Sequence, residues 1–225
     1  MRARSRSLQR ALLSGVDISL LWHGRRRGRL HAMTTGSNVP SYALDVATGL
    51  LKGARQVLSP HFDARPAGRE PELIVIHGIS LPPGQFGGGW IERLFCGNLS
   101  AHAHPFFAGV SRARVSAHLL IERDGRITQF VPLTQRAWHA GASVYRGRTA
   151  CNDFSIGIEL EGTDELPYTP SQYALLQQLI RLLLRSIPTL ASDRIVGHSD
   201  IAPGRKSDPG LSFDWQRLRS ALPPG

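Results

Sequence analysis

Residues 194–210, RIVGHSDIAPGRKSDPG, gather several chemically capable side chains on one short segment. Ile195 and Val196 lead into Gly197 and His198, and a loop then carries Asp200, Lys206 and Asp208. Pro203 and Pro209 lack a backbone donor, and Gly204 and Gly210 favour turns. The loop therefore reads as neither helix nor inner strand, and it should display its polar side chains. A histidine at a strand end and an aspartate ten residues on can turn back to one point. An imidazole nitrogen and a carboxylate oxygen are zinc-type ligands. Lys206, two residues before Asp208, is a cation suited to stabilising an oxyanion beside a metal.

Two ligands do not hold a catalytic zinc. Residues 72–79, ELIVIHGI, supply a third, because the apolar run from Leu73 to Ile76 ends in His77. Three protein ligands leave the fourth position for water, as a hydrolase requires.

Each candidate has a plainer alternative. A histidine at a strand end is often a hydrogen-bonded core residue, and aspartate before Pro-Gly is ordinary turn chemistry. Asp200 is a rival ligand, or it orients His198 or the loop. His118 falls in a hairpin strand, and His139 sits in AWHAG among small residues, as a pocket wall would. Glu159 lies in SIGIELEG, an apolar strand where an acid is costly, with Glu161 on the same face by alternation. Its carboxylate is either functional or ion-paired with an arginine such as Arg114 or Arg148. As a general base it would take a proton from attacking water and return it to a leaving amine.

The elements that must position these groups are legible in outline. Residues 73–76 read as the first strand, and residues 81–90, LPPGQFGGGW, as a breaker-rich loop, either a lid or a surface connection. Residues 90–95 read as a short helix. Residues 116–122 and 126–132 flank Asp124 and Gly125 as a hairpin. Residues 154–160 read as another strand. The clearest helix runs from Pro170 to about Ser186, with Thr169 as N-cap and Gln172 completing a capping box. Leu176, Leu179, Ile180, Leu183 and Ile187 form its apolar stripe, and Pro188 stops it. Residues 195–197 form a further strand, and Asp214 caps a last short helix with Trp215, Leu218 and Leu222 on one face. Hairpin and crossover links together predict an α/β fold, a mixed sheet flanked by helices.

The chain has 225 residues, with a hydrophobic fraction of 41% and a net charge of +10. Residues 1–32 hold eight arginines against a single acid, Asp17, so most of the charge lies outside the expected domain, residues 45–225. Residues 1–44 show no clear period. They read as disordered or as a mis-assigned start, with Met33 the alternative; the other reading is an arginine-rich arm for nucleic acid or anionic lipid. Cys96 and Cys151 make no CxxC pair, which suggests a reducing compartment. No run reaches the roughly 20 apolar residues of a membrane span. Asp17 interrupts the only signal-like core.

The segments IVIHGISLPPGQFGG, HPFF, RVSAHLLIERDGRI, RAWHAG, CNDFSIGIELEGTD and GHSDIAPGRKSDPG together resemble the zinc-dependent N-acetylmuramoyl-L-alanine amidases. That family also holds phage lysozyme-type amidases and peptidoglycan recognition proteins. The resemblance runs from about Gly49 to Leu218. It implies zinc on His77, His198 and Asp208, catalysis by Glu159 and Lys206, and substrate contacts from Arg114 and Trp138. It further implies a cytoplasmic, monomeric enzyme of cell-wall recycling, acting on small anhydro-muramyl peptides, with no nucleic-acid or membrane partner. Two departures stand out. Gly78 replaces the usual asparagine, and Ala150 replaces a substrate-binding arginine, with Arg148 two residues away as a substitute. Rival readings are a non-catalytic peptidoglycan-binding module and an exported amidase acting on intact wall.

Overall fold

A computed structural model describes residues 41–224. Four short strands come first: β1 (Ala43–Asp45), β2 (Leu50–Lys52), β3 (Arg55–Gln56) and β4 (Phe62–Ala64). Then come β5 (Leu73–Ile79), helix α1 (Trp90–Phe95), and the hairpin strands β6 (Leu119–Ile121) and β7 (Ile127–Gln129). Short strands β8 (Gln135–Ala137), β9 (Val144–Tyr145) and β10 (Arg148–Thr149) lead to β11 (Ser155–Glu161). Helix α2 (Pro170–Ser186), β12 (Ile195–Gly197), α3 (His198–Ile201) and α4 (Trp215–Arg219) follow.

Six strands make one mixed sheet in the order β12–β5–β11–β6–β7–β3. The first four run parallel, so their carboxyl ends share one edge, the usual place for a site in such sheets. β7 turns back antiparallel to β6. Alternation divides the central strands between two faces. Ile74, Ile76, Ile156, Ile158 and Leu160 join the core under α2, against Leu176, Leu179, Ile180 and Leu183. Leu73 and Val75 pack on the other face with Ala140, Cys151 and Phe154. His77, Ser155, Gly157 and Glu159 fall on that second face by the same alternation.

Helix α2 starts where its cap residues direct. The Thr169 hydroxyl accepts the Gln172 N–H at 3.1 Å, and the Gln172 side chain accepts the Thr169 N–H at 3.0 Å. Gln172 Nε2 also donates to Ile121 and Glu161 carbonyls, fastening the helix start to the sheet.

Two expectations are corrected. Residues 73–76 are not the first strand, because β1 to β4 precede them. Strands of two or three residues are too short to show a period, and distant partners assemble them, as β8 does for β4. The 194–210 segment is also not loop throughout, because α3 makes one helical turn before either proline. An Asp200 carboxylate oxygen accepts the Gly197 N–H at 2.7 Å and closes that turn. The arginine-rich residues 1–40 lie outside the described residues.

Candidate active site

His77 stands on β5, and His198 immediately follows β12, so parallel neighbours deliver both imidazoles to one edge. Asp208 returns to them through backbone, since Ser199 N–H donates to the Asp208 carbonyl at 3.0 Å. Gly197 makes room for that return: a Cβ there would meet Pro209 Cδ at 2.9 Å. The Tyr168 hydroxyl donates to the Pro209 carbonyl at 2.9 Å and pins the loop from the far side.

Three donor atoms converge. His77 Nδ1 lies 3.0 Å from His198 Nδ1 and 3.2 Å from Asp208 Oδ2. His198 Nδ1 lies 3.1 Å from the same oxygen. Ligand atoms of a tetrahedral zinc stand about 3.3 Å apart, so the triangle has the right size. His198 Nε2–H donates to the Ala140 carbonyl at 3.2 Å, which leaves its Nδ1 lone pair facing inward. A bare nitrogen so close to a carboxylate oxygen repels it unless a cation lies between. Burial holds the His77 imidazole down at about 4, so it is neutral near pH 7, as a metal ligand must be. His77, His198 and Asp208 therefore fit a divalent metal ion.

Glu159 sits opposite His77 in the β11–β5 register. The residue is 9% exposed, and Oε2 has no hydrogen-bond partner among the described residues. Burial pushes its carboxyl well above the usual range, the Asp208 charge adds to this, and the Lys206 ammonium partly offsets it. Lys206 is exposed, and its charge acts on both His77 and Glu159. The ion-pair alternative for Glu159 finds no support. Arg148 binds Glu72 through two hydrogen bonds at 2.7 and 3.2 Å. Arg114 lies over the Trp138 ring at 5.2 Å.

The substrate-contact candidates fall in two places. Trp138 adjoins His139, donates its indole N–H to Asp63 at 3.1 Å and stacks on His61. Arg114 covers it, so these two stand together. Arg148 is held at Glu72, before the start of β5, five residues and thus roughly 16 Å of strand from His77. Asp200 is used as a cap and stays outside the ligand cluster. His118 is buried between the Gly157 N–H, which its Nδ1 accepts, and the Gln135 carbonyl, to which Nε2–H donates. The glycine at 78 suits its surroundings, since a Cβ there would run into the Tyr168 hydroxyl.

Sequence reasoning undervalued His139. Its Nδ1 lies 2.9 Å from His77 Nε2, directly behind the candidate ligand. Asn152 Oδ1 accepts the backbone N–H groups of His139 and Ala140 at 3.1 and 2.7 Å. The signal was present in SIGIE, where Ser155, Gly157 and Glu159 alternate onto one strand face. The breaker-rich loop is exposed from Pro83 to Gly89, yet the Gly87 N–H donates to Glu161 and the Arg123 guanidinium covers Phe86.

Comparison with known proteins agrees with this geometry. Residues 67–211 match the family model described as N-acetylmuramoyl-L-alanine amidase. The chain is 58% identical over 171 residues to 1,6-anhydro-N-acetylmuramyl-L-alanine amidase AmpD of Escherichia coli K12, covering 76% of this chain and 93% of that protein. A crystal structure of a selenomethionine AmpD derivative superposes with a TM-score of 0.77 at 55% identity, over 80% of this chain and 99% of that one. AMPDH3 from Pseudomonas aeruginosa, solved with anhydromuramic pentapeptide, is 31% identical with a TM-score of 0.52. That match covers 69% of this chain and 61% of the Pseudomonas one.

Proposed function

The chain belongs to the N-acetylmuramoyl-L-alanine amidase family, and on that premise we propose that it is a zinc-dependent hydrolase of anhydro-muramyl peptides. The bond cut is the amide between the lactyl group of (1,6-anhydro-)N-acetylmuramic acid and L-alanine of the stem peptide. The observation that carries this reading is the inward-facing triangle of His77, His198 and Asp208 with the unpartnered Glu159 carboxyl in register beside it.

In this reading His77, His198 and Asp208 hold the ion. Zinc, when bound, would lower the pKa of water to about 7, polarise the scissile carbonyl and favour ionised Glu159. Glu159 takes the proton from the attacking water and gives it to the departing L-alanine nitrogen as the C–N bond breaks. Lys206, whose charge acts on both His77 and Glu159, stabilises charge on the carbonyl oxygen. Trp138 offers an apolar edge to the sugar, and Arg114 beside it is a partner for a substrate carboxylate. Arg148 serves the substrate only by leaving Glu72, and its place at the far end of β5 makes it the weakest of the three.

We assign the catalytic domain to residues 45–225 and the role to cell-wall recycling in the cytoplasm, as a monomer without nucleic-acid or membrane partners. The free thiols Cys96 and Cys151 suit that reducing compartment. Release of stem peptide from anhydro-muramyl-peptide, with and without chelator and beside Glu159→Ala, tests the proposal. Cleavage should vanish with chelator, return with zinc and be lost in the variant. Stoichiometric metal without cleavage would leave a binding module; neither metal nor cleavage would sink the triangle as a metal site.

A further inference from the structure

We infer that His139 is a positioning residue for the metal cradle: it accepts the Nε2 proton of His77 and so turns the Nδ1 lone pair of that ring inward. The inference deepens the zinc reading above and rests on it.

The direction of each hydrogen bond follows from the far end of a chain. Ser155 Oγ–H donates to the Cys151 carbonyl at 2.6 Å, and a carbonyl can only accept. The hydroxyl has no second proton, so its 3.1 Å contact with His139 Nε2 is a donation by the ring. His139 packs edge-on against His77 and His118. The neutral ring has a single proton, and the Ser155 contact places it on Nε2. Its Nδ1 is therefore bare, and the 2.9 Å contact with His77 Nε2 is a donation by His77. With its one proton on that side, His77 presents a bare Nδ1 to His198 and Asp208.

The surroundings are built for this ring. At Gly157 a Cβ would lie 2.5 Å from the His139 imidazole, so the strand surface is cut away where the ring rests. Asn152 Oδ1 holds the backbone of both His139 and Ala140, and the Ala140 carbonyl takes the Nε2 proton of His198. One dipeptide thus sets both imidazoles, one through a side chain and the other through a carbonyl.

Zinc affinity, measured by chelator competition on the full chain, tests this with wild type, His139→Leu, His139→Asn and Ser155→Ala. His139→Leu removes the acceptor and should weaken zinc binding about 10- to 100-fold. His139→Asn restores an acceptor oxygen and should recover most of that loss, which a purely structural role would not predict. Ser155→Ala frees the His139 ring to reverse and should weaken binding by a smaller factor. Imidazole proton–nitrogen correlation spectra of the metal-free wild type should show His77 in the Nε2–H form. Unchanged affinity in His139→Leu, equal loss in the Leu and Asn variants, or an Nδ1–H form of His77 would overturn the inference. Should His139→Leu not fold, Ser155→Ala and the wild-type spectra still decide. A wild type that binds no zinc defeats the metal reading instead, while the spectra continue to test the hydrogen-bond chain.

Discussion

In the proposed reaction Glu159 moves the proton, and it is not one of the three cradle residues. Its Oε2 makes no hydrogen bond among the described residues, and its carboxyl is pushed up chiefly by burial. Glu159→Gln should therefore lower kcat by about 10²- to 10⁴-fold while zinc content, read by metal analysis, stays at wild-type level. His118 supplies a pH test at the same scale. Burial holds its imidazole down at about 3, against 6.5 for the free group. The unfolded chain takes up this proton as pH falls below 6.5, and the folded protein refuses it until about 3. Stability present above 6.5 is thus lost across that window. Urea midpoints from pH 7 downward should fall faster for wild type than for His118→Gln. Residue identity was legible where a side chain ends an apolar run, as His77 and His198 do. It was not legible for His139, whose meaning depends on a contact between the loop after β8 and strand β5. Nor did the sequence show Arg148 bound to Glu72, a pair 76 residues apart.

At the scale of elements, α2 and β11 support the site in different ways. Helix α2 covers the sheet face opposite His77 and Glu159, and Leu183 is wholly buried in that contact. Leu183→Ala should cost about 2–5 kcal/mol in chemical unfolding with kcat of the remaining folded enzyme unchanged. On β11 the ligand-side face reads Ser155, Gly157, Glu159, and the middle position has no space to give. Gly157→Ala should force the His139 ring aside, costing about 1–3 kcal/mol and weakening zinc binding together. Helix α2 was readable in sequence because a cap, a stripe and a stop agree over 17 residues. The strands from β1 to β4 were not, because each owes its existence to a partner and not to its own period.

For the whole molecule, a cradle that exists only when β5, β12 and the 198–208 loop are assembled links metal to folding. An ion that binds the folded chain alone stabilises it by about 2.7 kcal/mol at a hundredfold excess over its Kd. Thermal scans should show Tm falling on chelation in wild type and far less in Asp208→Ala, which lacks one ligand. The mixed sheet itself was legible, since Asp124 and Gly125 marked a hairpin and the other links read as crossovers. The fastening of the breaker-rich loop to Glu161 was not, because glycine runs say nothing of what their N–H groups meet.

The pairing of Glu159 with His77 across β11 and β5 has a mechanical consequence. Parallel neighbours lie about 4.8 Å apart, a spacing set by backbone hydrogen bonds and indifferent to how the core beneath is filled. The proposed base and the proposed ligand are therefore gauged by the peptide lattice. A slip of one residue would put Ile158 or Leu160 beside His77 and turn the carboxylate into the α2 core. Between the correct register and none there is no graded position, so damage to the core should reduce the number of working molecules before it degrades any single one.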